Sequence, residues 1–161
     1  MLGAGTAALL ATAGCNPFST PTRITQTVTA SAAPVADPMP TLTAITRLQV
    51  VRLANMISAN QGLAARLTPL LEDRQVHLTQ LIAEINRTSP QAGAAEKAKP
   101  TSDPSVIVPT GATPVLLAAM KSDAATAESA FLDAFPTASR YRAALFGSIA
   151  ACLASHQEAL S

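Results

Sequence analysis

The chain has 161 residues, 11 basic and 10 acidic, with a net charge of +1 and a mean hydropathy of +0.28. That is room for one domain and little more. The near-neutral balance offers no basic patch for nucleic acid and no acidic tail for a polycation. With no Trp and one Tyr, the stacking platforms of single-strand binding are missing as well.

The first segment, Leu9-Leu10-Ala11-Thr12-Ala13-Gly14-Cys15, reads as a bacterial lipoprotein signal: an apolar run, three small residues, then a cysteine for acylation. No charged residue precedes Arg23, so the basic n-region of an export signal is missing, and the true start is expected upstream of Met1. The mild apolar run, broken by Gly3 and Gly5, is similar to twin-arginine signals; either that route or the Sec route is expected. The stretch is too short for a membrane span, which needs about 20 apolar residues. Acyl chains on Cys15 would instead anchor the protein to the lipid bilayer at the extracytoplasmic face of the cell membrane. The second cysteine, Cys152, is then left as a lone thiol; a Cys15–Cys152 disulfide is the competing arrangement.

Residues 15–40 are rich in Thr, Ser, Ala and Pro and read as a disordered tether between the signal peptide (1–14) and a folded module (41–161). The alternation Ile24-Thr25-Gln26-Thr27-Val28-Thr29 suits a short strand but has no evident partner. Few aromatics leave Ala, Leu, Ile and Val to build the core, a composition that favours helix. Four helices are predicted. The first spans about 41–60, with Leu42, Ile45, Leu48, Val51 and Met56 apolar. The second spans about 63–86, with Leu67, Leu71, Leu78, Ile82 and Ile85 on one stripe. Pro69 lies near its start, tolerated if Thr68 is the N-cap and otherwise a kink. Residues 87–112 form a long Pro/Gly/Ser-rich loop. Thr113-Pro114 opens the third helix, 113–135, whose Leu117, Met120, Ala124, Ala127, Phe131 and Ala134 repeat by three and four without a break. The fourth, about 138–160, carries Leu145, Ile149, Cys152, His156 and Leu160 on one face.

Four helices of about 20 residues predict an all-α, four-helix bundle. The short first and last connections make antiparallel hairpins. The long central connection, able to stretch ~80 Å, permits either an up-down-up-down bundle or a ferritin-like one with its second and third long helices parallel.

A carboxylate-bridged di-iron centre, which a ferritin-like bundle invites, lacks its ligands: the first helix has no acidic residue, and no Glu-x-x-His occurs. A smaller site is the sharper possibility. Cys152 and His156 stand four apart on one helical face, a thiolate and imidazole pair suited to zinc or copper, and His77 is the only other histidine that could join them. Set against it, a free cysteine packs as a small hydrophobe, His156 in a last helical turn gains from the helix dipole, and His77 reads as a solvated partner of Asp73. No nucleophile elbow and no phosphate-binding glycine loop occurs, and no catalytic residue is assigned.

The segment Tyr141-Arg142-Ala143-Ala144-Leu145-Phe146-Gly147-Ser148-Ile149-Ala150-Ala151-Cys152-Leu153-Ala154-Ser155-His156, with Leu63-Ala64-Ala65-Arg66-Leu67-Thr68-Pro69-Leu70 and His77-Leu78, resembles exported actinobacterial lipoproteins of unknown function with a ferritin-like helical domain. The resemblance implies a lipid-tethered bundle and carries no catalytic residue over. The leading expectation is a non-enzymatic envelope lipoprotein, anchored through Cys15, whose bundle binds an envelope protein or a small apolar ligand and needs no cofactor. The alternative is a zinc- or copper-binding or redox module built on Cys152, His156 and His77.

Overall fold

The structure, a computed structural model, describes residues 36–161. The Cys15 signal, the Ile24–Thr29 alternation and nearly all of the expected tether lie outside the described residues. Those residues form helices and connecting turns, with no strand among them: α1 (Met39–Ala59), α2 (Ala64–Thr88), α3 (Pro90–Ala98), α4 (Thr113–Ala134) and α5 (Arg140–Ala159). None of these helices is long and apolar enough to cross a membrane.

Local chemistry accounts for the boundaries. Helix α1 starts two residues before the expected position because the Asp37 carboxylate accepts the Met39 N–H at 3.0 Å and Pro40 sits in the first turn, where no N–H is needed. Thr43 and Thr46, both fully buried, donate their hydroxyls to the carbonyls of Met39 and Leu42. A β-branched hydroxyl can therefore face the core without a desolvation penalty. Helix α2 runs from Ala64 straight through Pro69, so Thr68 is not its N-cap; a 3-10 turn at Gln61–Leu63 leads into it instead. The expected loop 87–112 contains a helix, α3, opened by Pro90. That helix folds back on α2 at Gly93, where a Cβ would lie 2.4 Å from the Asn86 Cβ. Only glycine permits this approach.

The four long helices surround one core. Leu42 of α1, Leu81 and Ile85 of α2, Phe131 and Ala134 of α4, and Phe146 and Ile149 of α5 meet at one end. Met56, Leu67, Leu70, Leu117, Met120 and Leu160 meet at the other. In each neighbouring pair an early residue of one helix meets a late residue of the other, so neighbours are antiparallel and α2 runs parallel to α4. The second and third long helices, α2 and α4, are therefore joined by a long crossover. Residues 99–112 return along α1: Arg47 donates to the carbonyls of Glu96 and Lys99, and Asn55 donates to those of Asp103 and Val106. Val108 then packs on the second end of the core.

The α4 stripe is buried as its periodicity predicts, Leu117 through Ala134. Elsewhere the buried faces are rotated from the expected ones. In α1, Leu48 is exposed, while Val50, Leu53 and Gln49 are buried. In α2, Leu71 and Ile82 are only half-buried, and the buried face runs through Leu67, Leu70, Arg74, His77, Leu78, Leu81, Glu84 and Ile85. In α5, Phe146 is fully buried and meets Phe131 edge to face at 5.9 Å.

Candidate metal centre

Helices α2 and α5 lie antiparallel, and their register is set near one end by a buried ion pair. Glu84 Oε1 accepts from Arg142 Nε at 2.9 Å, while its carboxylate also takes two hydrogen bonds from Arg87. The Arg87 bonds, with the one from Arg142, outweigh burial and hold the Glu84 carboxyl down at about 2. Roughly three helical turns away the same pairing brings Asp73 of α2 to the one turn of α5 that carries both Cys152 and His156. Four residues apart, those two side chains project from the same face.

The three donors converge. His156 Nε2 lies 2.8 Å from Asp73 Oδ2, and Cys152 Sγ lies 3.5 Å from His156 Nε2 and 3.8 Å from Asp73 Oδ2. Zinc bonds to sulfur at about 2.3 Å and to nitrogen or oxygen at about 2.0–2.1 Å, so tetrahedral donors stand about 3.5 Å apart for S···N and S···O and about 3.3 Å for N···O. Two of the three separations match within about 0.3 Å, and the third needs Asp73 and His156 to part by about half an ångström. Among the described residues this is the one group of three or more Cys, His, Asp or Glu side chains with donors so close together.

Burial varies across the site. The His156 side chain is 8 % exposed and that of Asp73 is 51 % exposed; Cys152 is a half-buried free thiol. Burial, aided by the Arg74 charge, lowers the His156 pKa against the opposing pull of Asp73. The ring is thus neutral, the form that binds a metal. Burial and the Asp73 carboxylate push the Cys152 thiol up, with Arg74 pulling the other way. No protein-family model, curated protein or solved structure matches the chain. The site's chemistry rests on its own geometry.

That geometry is not a catalytic relay. In a Cys-His-Asp relay the acid holds one ring nitrogen and the thiol uses the other. Here Asp73 and Cys152 both address Nε2, while Nδ1 is buried with no partner. Two groups competing for one nitrogen is what donors around a common point look like.

Of the residues singled out from sequence, Cys152 and His156 are together in the cluster and His77 is not. His77 is buried rather than solvated, and its Nδ1 lies 3.4 Å from Arg74 Nη1. Burial and the neighbouring Arg74 charge lower its pKa to about 4. Asp73 takes the third place instead. The sequence sets Asp73 four residues before His77 on α2 and carries no signal for its partner on α5.

Arg74 is the other residue that sequence reasoning passed over. It is 2 % exposed, and no carboxylate among the described residues lies within salt-bridge distance of it. Its guanidinium faces the Cys152 sulfur, and burial lowers its pKa to about 10, which leaves it charged at neutral pH. It also lines a small cavity of about 20 Å³, one water in size, with Gln49, Arg52, Asp123 and Leu160.

Proposed function

We propose that the bundle is a metal-binding module that holds one zinc ion, or another thiophilic transition ion, between Asp73, Cys152 and His156. The observation that carries this reading is the common focus of the three donors, Sγ, Nε2 and Oδ2, at 2.8–3.8 Å from one another. A thiolate, an imidazole and a carboxylate are a donor set that zinc accepts. The site draws on two helices, so the ion would fasten α2 to α5. On loading, the ion would displace the Cys152 thiol proton to solvent, and the His156 ring would ligate through Nε2 with its proton on Nδ1, so that binding strengthens as pH rises. Sequence supports a location for the module. The Leu9–Cys15 signal and the Pro/Thr-rich segment behind it support a lipid anchor at the cell envelope, in keeping with the resemblance to exported lipoproteins.

The test is equilibrium dialysis of the full chain carrying Cys15→Ser, so that Cys152 is the only thiol. One equivalent of zinc is expected, with the affinity falling by tenfold or more in Asp73→Asn and binding lost in Cys152→Ser. Absence of stoichiometric zinc or copper binding to the folded chain overturns the reading.

A further inference from the structure

We infer that this site takes a small anion from solution as its fourth ligand, and that Arg74 is the residue that recruits it. The inference rests on the metal reading above and deepens it. Three donors leave a tetrahedral ion one position short, and among the described residues no fourth Cys, His, Asp or Glu joins the cluster. Closed structural zinc sites have four protein ligands; three ligands and an accessible fourth position mark a site that exchanges ligands. Access is provided on the Asp73 side, where the carboxylate is half exposed while His156 is buried.

Charge decides what fills the position. A thiolate and a carboxylate cancel a divalent ion, and the imidazole adds nothing. Arg74, next to Asp73 on α2, 2 % exposed and with no carboxylate among the described residues within salt-bridge distance, then leaves one net positive charge at the site. A buried charge without a counterion is costly, and an anionic ligand from solution removes that cost where a neutral one does not. The adjacent positions Asp73 and Arg74 thus divide the work. Asp73 faces the ion from the solvent side, and Arg74, one residue on, supplies the charge from the inside. The ligands that fit are small monoanions with a nitrogen, oxygen or sulfur donor, such as a carboxylate or a thiolate. Arg74 acts here as a positioning residue, not as a ligand.

Cobalt substitution of the full chain carrying Cys15→Ser tests both layers separately. Co²⁺ is expected to give thiolate charge-transfer absorption and tetrahedral ligand-field bands. Azide should then shift those bands saturably at unchanged cobalt stoichiometry. Arg74→Gln should bind cobalt but weaken azide tenfold or more, and Arg74→Lys, which keeps the charge, should recover part of that loss. Circular dichroism of each variant reports whether the bundle is intact. A cobalt spectrum that azide in large excess leaves unmoved overturns the anion inference and leaves the metal reading standing. Equal azide affinity in folded Arg74→Gln overturns the role of Arg74. No thiolate-to-cobalt band at all overturns both layers. If Arg74→Gln does not fold, the comparison of wild type with Arg74→Lys, and the suppression of azide binding by added formate, carry the decision: no competition by a second small anion overturns the inference.

Discussion

Asp73 Oδ2 and His156 Nε2 meet at 2.8 Å across the α2–α5 contact, although 83 positions separate them in the chain. The contact uses the ring nitrogen that Cys152 also addresses and leaves the other without a partner. A hydrogen bond of this kind holds the donors within about half an ångström of a coordinating arrangement before any ion arrives. Loading the site then costs little ordering entropy, since two of its three ligands are already fixed by one turn of a buried helix.

Zinc should therefore stabilise the fold. A ligand that binds only the native state at about 100 times its dissociation constant adds about 2.7 kcal/mol. Thermal unfolding of the Cys15→Ser chain should shift upward with added zinc and return with chelator, while Asp73→Asn shifts less and Cys152→Ser does not shift.

Stability should fall in two steps on acidification. The first belongs chiefly to His77, whose neighbours in the fold are Arg74, Asp73 and His156 and whose pKa drops from 6.5 to about 4 on folding; His156, lowered in the same direction, adds to it. The His77 ring stays neutral in the native state while the unfolded chain takes up a proton, so stability present above pH 6.5 is lost as pH falls toward 4, by at most about 3 kcal/mol. The second belongs to Glu84, between Arg87 and Arg142, lowered from 4.5 to about 2. Its contribution, of similar order, is complete above pH 4.5 and lost as pH falls through 2. Urea unfolding from pH 7.5 to 2.5 should show both windows. His77→Gln should flatten the upper one and Glu84→Gln the lower one, and a profile unchanged by either variant would contradict these assignments.

Phe146→Ala should cost about 3–5 kcal/mol. The ring is fully buried and packs edge to face on Phe131 in a core otherwise made of aliphatic side chains and alanine. The α4–α5 interface has small residues at Ala124, Ala127 and Ala150 that cannot swell to fill the space. Chemical denaturation at neutral pH reads the loss directly.

The crossover should loosen without the bundle unfolding when its attachment to α1 is cut. Asn55 holds it by two hydrogen bonds, to the carbonyls of Asp103 and Val106, and Arg47 holds its start at Glu96 and Lys99. In Asn55→Ala, limited proteolysis should cleave within 99–112 several-fold faster while the helical circular dichroism is retained. Equal cleavage rates in the variant and the parent would show that these bonds do not hold the segment.

Much of the fold is legible from periodicity alone. The α4 repeat of Leu117, Met120, Ala124, Ala127, Phe131 and Ala134 is buried residue for residue, because its spacing of three and four keeps those positions on one helical face, while Val115 and Leu132 fall off it and are exposed. The α2 face is harder to read. Arg74 and Glu84 are charged and would be assigned to solvent by type, yet both are 2 % exposed. Their burial depends on what faces them: the Cys152 sulfur for one, Arg142 for the other. Once those two positions are set aside as polar, the apparent stripe turns toward Leu71 and Ile82, and His77 seems to lie outside the core.

By itself the sequence determined the helical class, the four long helices, the α4 core stripe and the Cys152–His156 pair. Each depends on residues a few positions apart, and helical geometry fixes their relation. Only the tertiary structure decided that α2 and α4 run parallel, that the crossover lies along α1, that Asp73 rather than His77 completes the cluster, and that Arg74 is buried beside it. Each of those rests on the register between helices joined by a long connection, and a connection that long permits several registers until side-chain packing selects one.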